Sequence, residues 1–208
     1  MMTLQNNFLK KFSDNLYADV NLSPYSWFNL GGNAEYFYKA KDKYQLIEFL
    51  KESKKINLKT TILGAGSNTL FRDKGVKGAI IKLGGSFTNI KLIKKNILEI
   101  GAAALDRKVA NFAKDKSLKN LEFLSCIPGS IGGAIMMNSG CFDENISEVL
   151  LSIKAIDKNK LKEIELKKED IKFYYRGTNL SEDLIILSVK LKGSHAKKEE
   201  IEKKQNEY

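Results

Sequence analysis

The sequence predicts an α+β fold, and two observations support this class. Several short segments with the alternating apolar and polar residues of strands are mixed with a few segments at helical spacing. Two glycine-rich segments, about sixty residues apart, lack the strand–GxGxxG–helix order of a dinucleotide-binding fold and the GK[ST] ending of a nucleotide P-loop. The usual dinucleotide-binding and nucleotide-hydrolase classes are therefore disfavoured.

In the N-terminal half, residues 21–32 have the character of a loop, and residues 34–40 alternate around two tyrosines, which predicts a strand. Residues 42–55 carry leucine and isoleucine at helical spacing, and Asp42 is suited to cap the N-terminus of that helix. Four further β-rich runs predict strands at residues 58–63, 78–83, 90–93 and 97–100, the last two as a hairpin.

In the C-terminal half, residues 105–116 and the small, apolar residues 130–137 predict two helices, the second short and buried. Strands are predicted at residues 149–156 and 161–166, as a hairpin, and at 184–191. Residues 196–208 are rich in lysine and glutamate, with Ile201 as the only aliphatic side chain larger than alanine. Because such a helix has almost no face to bury, we expect it to be solvated or to begin a structure that continues.

The composition is that of an ordinary globular chain rather than a disordered one, with 43% hydrophobic and 29% charged residues. Its 208 residues suit one large domain or two small ones. The net charge of +10 is compatible with attraction to an anionic molecule, or simply with a lysine-rich solvated surface. The lysines are spread among acidic neighbours, and no basic motif of a known nucleic-acid module is present, which favours the solvated surface.

Cysteine and histidine usage excludes the common metal sites. The cysteines, Cys126 and Cys141, form no CxxC pair, and His195 is the single histidine. Two thiols in a lysine-rich chain indicate reduced cytosolic cysteines that fit tight packing around the second glycine-rich segment. No stretch has the length and apolarity of a signal peptide or a membrane span, so we expect a cytoplasmic protein without membrane partners.

The two glycine-rich segments carry the strongest functional signal. The first loop is Gly64–Thr69 and the second loop is Ile127–Ala134; each follows an apolar run and contains small hydroxyl or amide side chains. Backbone N–H groups exposed in such loops can hold a diphosphate, and glycine lets the backbone approach it closely. Each loop taken separately is equally consistent with a plain turn.

Four motifs in the same order resemble those of the UDP-N-acetylenolpyruvoylglucosamine reductase family, also called UDP-N-acetylmuramate dehydrogenases. They are the approach segment Ser26–Ala34, the first loop with Asp73, Gly75 and Gly78, the second loop with Asn138, Gly140 and Glu148, and the sequence Tyr174-Tyr175-Arg176. Any one motif is weak, but together they cover residues 22–191 and are highly specific.

The resemblance implies the two-subdomain FAD-binding fold of the vanillyl-alcohol-oxidase type, with two α+β subdomains on either side of FAD. It implies the following division of the chain: an N-terminal lead-in at 1–21, an FAD-binding domain at 22–192 with subdomains at about 22–84 and 85–192, and at 193–208 the start of a linker helix to a substrate domain that is absent.

The resemblance also implies which residues contact the cofactor. Backbone N–H groups of the first loop would hold the diphosphate, through Gly64, Ala65, Gly66, Ser67, Asn68 and Thr69. The diphosphate and isoalloxazine would be lined by a second set of residues, Pro128, Gly129, Ser130, Ile131, Gly133, Ala134, Asn138 and Gly140. Preorganised amides suit an anionic diphosphate, which agrees with this assignment.

The Tyr-Arg motif supplies the expected catalytic residue. By the resemblance, Arg176 lies against the enolpyruvyl carboxylate and stabilises the negative charge that develops when hydride adds to the alkene. Tyr175 would contact the substrate or the nicotinamide. From the sequence alone, Arg176 is also compatible with a surface arginine, and Tyr175 with a core tyrosine.

The implied reaction reduces UDP-N-acetylglucosamine-enolpyruvate to the peptidoglycan precursor UDP-N-acetylmuramate, with NADPH as hydride donor, bound FAD as carrier and a monomeric enzyme. The family's proton donor is a serine before Phe-Lys-Asn-Pro, assisted by a C-terminal glutamate, and no such serine motif occurs in this chain. We therefore expect a fragment or split product that binds FAD but turns over the UDP-sugar poorly.

Two alternatives remain open at this point. One is another oxidoreductase of the same flavin fold, such as an oxidase of small alcohols or sugars, for which oxygen rather than NADPH would react with the flavin. The other is a non-enzymatic basic module that binds polyanions, which predicts a colourless protein with steeply salt-dependent nucleic-acid binding.

Overall fold

The computed structural model describes residues 2–208, with side chains from residue 6 onward. The chain divides into two compact units, Met1–Ser86 and Phe87–Tyr208, and each is described by itself. Met1, the first residue of the predicted lead-in segment, lies outside the described residues. Four short 3₁₀ turns accompany the regular elements, at Ser23–Tyr25, Gly85–Thr88, Glu122–Cys126 and Lys168–Asp170.

The first unit is a four-stranded sheet with two helices. Its elements are α1 (Met2–Lys11), β1 (Leu16–Asn21), β2 (Asn33–Ala40), α2 (Lys43–Lys55), β3 (Thr60–Leu63) and β4 (Val76–Leu83). The strand order is β1-β2-β4-β3, with β4 parallel to both β2 and β3, and β1 antiparallel to β2. The predicted strands and the predicted helix of this half are confirmed, and the Asp42 side chain caps α2 by accepting a hydrogen bond from the Gln45 N–H.

No element is predicted within residues 1–21, yet α1 and β1 occupy most of them. Phe8 on α1 and Phe12, the residue directly after this helix, are buried with their ring centroids 5.1 Å apart. They pack in an aromatic cluster in which Tyr38 and Phe49 are stacked at 3.8 Å. The N-terminal helix therefore contributes to the core of the first unit.

The opposite face of β2 supports the first loop. Phe37 points away from its neighbour Tyr38, because successive side chains of a strand face opposite sides of the sheet. It lies in a buried cluster that includes Leu63 and Phe71, the residues on either side of the first loop. The segment that contains the first loop is thus anchored at both ends in the core.

The second unit is built on a five-stranded antiparallel sheet. Its elements are β5 (Ile90–Lys94), β6 (Ile97–Gly101), α3 (Asp106–Asp115), β7 (Leu118–Lys119), α4 (Ile131–Met136), β8 (Gly140–Cys141), β9 (Glu144–Asn145), α5 (Ile146–Val149), β10 (Leu150–Asp157), β11 (Lys162–Lys167), β12 (Phe173–Tyr174), β13 (Gly177–Thr178), β14 (Leu184–Lys192), β15 (Ser194–His195) and α6 (Lys198–Glu207). The order of the main sheet is β11-β10-β14-β6-β5.

The predicted hairpins, the strand at 184–191 and the helices at 105–116 and 130–137 are confirmed in this unit, with ends that differ by at most one residue. The short strand pairs β8–β9 and β12–β13 are not predicted from the sequence, since two residues carry no alternation pattern. Both pairs turn out to lie beside the second loop.

The last helix, α6, differs from the expectation of a solvated helix. Ile201 is buried, so even a single aliphatic residue gives the helix a packed side. Its C-terminal end is held by polar and aromatic contacts: Lys204 and the Tyr208 hydroxyl each donate to Glu144 at 2.6 Å, and the Tyr208 ring stacks on Phe142 at 4.7 Å. Within the described residues, no helix is long and apolar enough to cross a membrane.

Candidate functional site

The first loop begins at the carboxyl end of β3, a parallel strand. In open sheets with parallel strands, ligands bind beyond the carboxyl ends of those strands. Next to the loop, the Lys82 ammonium on β4 donates a hydrogen bond to the Gly64 carbonyl, and burial lowers the pKa of Lys82. A lysine at this position both fixes the start of the loop and places a cation close to it.

Gly66 fixes the conformation of the first loop. Its φ of +83° is one that side chains rarely adopt, and a Cβ there would lie 1.8 Å from the Tyr25 carbonyl oxygen. The Trp27 N–H donates to the Gly66 carbonyl at 3.1 Å, and the buried Ser26 hydroxyl donates to the Thr69 carbonyl at 3.2 Å. The approach segment therefore holds the first loop through one backbone and one side-chain hydrogen bond.

A second pair of glycines extends this contact. A Cβ on Gly32 would meet the Asp73 carbonyl oxygen at 2.0 Å, and one on Gly75 would meet the Asn33 carbonyl oxygen at 1.9 Å. The Gly32 N–H donates to the Arg72 carbonyl at 3.0 Å. The glycines of the approach segment and those after the first loop are thus needed for one close contact between two stretches of backbone.

The backbone of the first loop offers N–H donors that the protein does not use. Among the described residues, no protein acceptor takes the backbone N–H groups of residues 65–68. Consecutive N–H groups in a turn form a concave anion site, and glycine at the centre leaves the approach open. These unpaired donors make the first loop a candidate for binding an anion.

The second loop is held by a different kind of contact. Its Gly129 carbonyl accepts from the Asp106 N–H at 3.1 Å, and the Ile131 N–H donates to the Ala104 carbonyl at 2.9 Å. A Cβ on Gly129 would lie 2.5 Å from the Asp106 carboxylate oxygen. Asp106 is fully buried, neither of its carboxylate oxygens has a hydrogen-bond partner in the part of the chain that is described, and burial raises the pKa of this carboxyl to about 8.

Helix α4 continues the second loop and contains two glycines with different surroundings. Gly132 is packed on Ala102, whose Cβ would be 3.1 Å from a Cβ on Gly132. For Gly133, apart from its chain neighbours and the backbone of its own helix, the only described atom within 4 Å of such a Cβ is the Ser130 hydroxyl oxygen, at 3.7 Å. Packing explains the first glycine, whereas the protein leaves space beside the second.

The Tyr174–Gly177 hairpin presents the two residues of the Tyr-Arg motif. Strands β12 and β13 pair at Tyr174 and Gly177, and Arg176 adopts a φ of +54° in the turn between them. Tyr175 is 90% exposed, so it is not a core tyrosine. The exposed Arg176 guanidinium lies over the Tyr175 ring at 5.2 Å and donates to the Gly140 carbonyl at 3.0 Å.

The structure brings Asn138, Gly140 and Arg176 together, but the Asn138 side chain faces the protein. Its amide donates to the Tyr174 carbonyl at 3.0 Å and accepts from the Ser147 N–H at 3.3 Å. Asn138 also adopts a φ of +41°. The predicted contact of Asn138 with a cofactor stays a prediction.

The two cysteines lie next to each other, and Cys141 is close enough to Arg176 to feel its charge. Both thiols are free and half-buried. Burial, together with a hydrogen bond from one thiol to the other, raises the pKa of Cys141 to about 11, although Arg176 acts in the opposite direction. At neutral pH Cys141 is therefore a protonated packing residue, in agreement with the interpretation from the sequence.

Sequence reasoning missed three functional candidates: Lys82, Asp106 and Thr178. Lys82 and Asp106 are ordinary charged residues in the sequence, and only the structure shows that each is directed toward a glycine-rich loop. Thr178 donates to the Met136 carbonyl at the end of α4. The position of Asp106 at the predicted start of α3, which packs against the second loop, is the one signal that the sequence offers.

Comparisons with known proteins agree with this geometry. A family model described as an FAD binding domain matches residues 34–160, more than half of the chain. The chain is 42% identical over 201 residues to a UDP-N-acetylenolpyruvoylglucosamine reductase of Pelagibacter ubique, covering 93% of this chain and 65% of the relative. It is 43% identical over 171 residues to one of Orientia tsutsugamushi, covering 81% and 56%. The chain thus spans less than two thirds of the length of these relatives.

Solved structures support the fold class. The chain superimposes with a TM-score of 0.78 on UDP-N-acetylenolpyruvylglucosamine reductase from Thermus caldophilus, at 27% identity over 92% of this chain and 66% of that one. A VAO-type flavoprotein from Myceliophthora thermophila gives a TM-score of 0.66 at 12% identity, with 94% of this chain and 47% of that one covered, which speaks for the fold alone.

The predicted resemblance to the reductases and the predicted fold class are both confirmed. The family model, the relatives and the shared fold lead to the same assignment: the chain belongs to the family of FAD-binding domains.

Proposed function

We propose that this chain binds FAD and carries the flavin-binding part of a UDP-N-acetylenolpyruvoylglucosamine reductase. The observation that carries the proposal is the run of unpaired N–H groups at residues 65–68 on a loop whose conformation Gly66 fixes. The names of the relatives give the substrate class, a UDP-sugar enolpyruvyl ether. The net charge of +10 favours such anionic ligands over long distances.

The residues present fit the cofactor. In this proposal the first loop holds the diphosphate through N–H groups of Gly64–Thr69. The second loop, with residues 138 and 140, lines the diphosphate and the flavin ring. The N–H groups of Ser130 and Gly133 have no acceptor in the described part of the chain, and the space beside Gly133 supports a close approach by the ring. Asn138 would then contribute its backbone rather than its side chain.

When bound, FAD would supply the redox chemistry, taking hydride from NADPH and giving it to the enolpyruvyl double bond. Arg176 is the proposed catalytic residue, because its planar cation suits a carboxylate and stabilises developing negative charge. The hydrogen bond to Gly140 uses one of the five donors of a guanidinium, which leaves donors for a ligand. Tyr175, exposed beside Arg176, is the proposed contact for substrate or nicotinamide.

The remaining parts of the proposal follow the family. The protein would act in the cytoplasm as a monomer on a small molecule, without nucleic-acid or membrane partners. The FAD-binding domain would span residues 22–192, and residues 193–208 would lead toward a substrate domain. Because no serine precedes Phe-Lys-Asn-Pro in these 208 residues, the proton donor would have to come from elsewhere.

The test begins with the colour of the purified 208-residue chain. We expect a yellow protein, or a colourless one that takes up added FAD with quenching of flavin fluorescence. Under anaerobic conditions, NADPH should bleach the bound flavin. Without the acid, reoxidation by UDP-N-acetylglucosamine-enolpyruvate should be slower than in the relatives by ~10² to 10⁴.

Three outcomes would contradict the proposal. If calorimetric titration shows no binding of FAD, the proposed cofactor is wrong. Rapid reoxidation by oxygen together with no reaction with NADPH would favour an oxidase of the same fold. Steeply salt-dependent binding of nucleic acid by a flavin-free protein would favour the basic binding module.

A further inference from the structure

The Tyr174–Gly177 hairpin is too small to hold its own conformation. Strands β12 and β13 have two residues each, and a short isolated hairpin is at best marginally stable in water. Its turn also places Arg176 at a positive φ, which is uncommon for a residue with a side chain. The position of the Arg176 guanidinium must therefore be fixed by contacts from outside the hairpin.

Lys172 and Asn179 bond to each other at the base of the hairpin, at 2.8 and 3.1 Å, and three further hydrogen bonds join the hairpin to residues 136–140, at the end of α4 and just after it. The Asn138 amide donates to the Tyr174 carbonyl at 3.0 Å, on one strand. The Thr178 hydroxyl on the other strand donates to the Met136 carbonyl at 3.3 Å. Arg176 itself donates to the Gly140 carbonyl, so the hairpin is held on both strands and at the turn.

Hydrogen bonds to residues outside the hairpin also orient Asn138. Its side-chain oxygen accepts from the Ser147 N–H at 3.3 Å, and its own N–H donates to the Ile135 carbonyl at 3.1 Å. The nitrogen and the oxygen of the Asn138 side-chain amide are thus both hydrogen-bonded to protein groups. A ligand could use this side chain only by breaking contacts that hold the hairpin.

We infer that Asn138 and Thr178 are positioning residues, which fix the Tyr174–Gly177 hairpin and thereby aim Arg176 at its ligand. The catalytic consequence rests on the proposed function, whereas the mechanical part concerns the hairpin alone. The two parts therefore have separate tests, so that a failure of one can be told from a failure of the other.

The mechanical test uses hydrogen exchange of the peptide that spans residues 172–180. Asn138→Gly keeps access to positive φ and removes the amide; Thr178→Val removes the hydroxyl with little change of shape, and Thr178→Ser is the matched control that keeps it. We expect exchange about 3- to 10-fold faster in the first two variants, as for loss of one hydrogen bond, and unchanged in the control. Peptides from β10 and β14 serve as internal references.

Unchanged exchange in Thr178→Val would overturn the mechanical claim, as would equal acceleration in Thr178→Ser. Should Asn138→Gly fail to fold, the pair of Thr178 variants decides the question without it. Faster exchange throughout the second unit, references included, would also count against the inference, because it would show general destabilisation rather than release of the hairpin.

The catalytic test measures single-turnover reoxidation of the reduced flavin by UDP-N-acetylglucosamine-enolpyruvate in the 208-residue chain and compares the variants with the natural sequence. In the chain that retains Arg176, we expect Thr178→Val to lower the rate about 3- to 10-fold. In the Arg176→Ala background the same substitution should have no further effect, because the effects of coupled residues are not additive. Thr178→Ser should restore the rate, and FAD affinity should stay within twofold throughout.

Additive effects of Thr178→Val and Arg176→Ala would overturn the assignment of Thr178 as a positioning residue. If Arg176→Ala alone leaves the rate unchanged, the proposed role of Arg176 fails. In that case hydrogen exchange still decides whether Asn138 and Thr178 hold the hairpin.

Discussion

The two glycine-rich loops carry a similar sequence signature for different physical reasons. In the first loop, Gly66 needs its positive φ, and its neighbour is a rigid backbone carbonyl. In the second loop, Gly129, Gly132 and Gly133 have no positive φ. There the constraint is space: a carboxylate lies against Gly129, Ala102 lies against Gly132, and Gly133 has room beside it.

A glycine in such a motif can allow a positive φ, can permit close packing, or can leave room for a ligand. Only the third use can be changed without disturbing the fold. If the difference is real, substitutions in the two loops should separate into effects on folding and effects on FAD binding. The following experiments test this separation.

The largest effect is expected for Gly66→Ala. A side chain at φ +83° is strained, and the Cβ would overlap a backbone oxygen at 1.8 Å that cannot move aside. We expect a loss of ~3 kcal/mol or more in the free energy of unfolding, or failure to fold. Denaturant titration of the variant measures this, with Gly84→Ala as the matched control because only one atom lies within 4 Å of its Cβ, at 4.0 Å. If Gly66→Ala is as stable as the control, Gly66 is not needed for the conformation of the first loop.

The next effect is a pH dependence that originates at Asp106. Its pKa is raised to about 8 by burial, so the folded chain binds a proton more tightly than the unfolded chain does. The free energy of unfolding should therefore fall as the pH rises from about 4, the ordinary value, to about 8. Above pH 8, Asp106→Asn should be more stable than the natural chain by up to ~5 kcal/mol.

Denaturant titrations at several pH values check this expectation. Below pH 4 the two proteins should have similar stability, because the carboxyl is then protonated in both the folded and the unfolded chain. Parallel pH profiles for the two proteins would show that Asp106 is not buried as an unpartnered carboxyl.

A smaller effect is expected for Gly129→Ala. The new Cβ would lie 2.5 Å from an oxygen of Asp106, and this side chain has little room to move. Overpacking of this kind costs ~1–3 kcal/mol. Thermal unfolding of Gly129→Ala in the natural and the Asp106→Ala backgrounds measures the coupling, and the cost should shrink in the second background. Equal costs in both would assign the glycine to a cause other than Asp106.

The smallest effect on folding is expected for Gly133→Ala. Within a helix, alanine is favoured over glycine by about 0.5–1 kcal/mol, and no described atom closer than 3.7 Å opposes the new methyl group. Stability should be unchanged or slightly higher. If the flavin ring approaches here as proposed, fluorescence titration should show FAD affinity reduced about 10-fold, a change of ~1.4 kcal/mol. Unaltered affinity would remove Gly133 from the proposed cofactor site.

The sequence predicts much of the fold because many helices and strands have clear local sequence signals. The helix after Asp42 has both a cap and an apolar face, and the hairpins have alternating strands around polar turns. The fold class and the resemblance to the reductases also follow from the sequence, since several motifs occur in a fixed order.

The missed elements depend on contacts with distant residues. Helix α1 is short, and its burial rests on contacts of Phe8 with Phe49 and of Phe12 with Tyr38, which lie far along the chain. Helix α6 is expected from the sequence, but its packing is not, because the helix is held through Glu144, a polar residue without periodic signature. Likewise the burial of Asp106 and the contacts of Asn138 arise only after folding, so their roles around the second loop could not be predicted.

The close contact between the approach segment and the first loop has a consequence for protein engineering. Gly32 and Gly75, like Gly66 and Tyr25, are fitted to each other at distances that admit no side chain. The short glycine-rich motif is therefore not a portable module. A transplant into another scaffold would have to carry both stretches of chain, some forty residues apart, and recombination that separates them would be expected to destroy the loop even when every residue of the motif is retained.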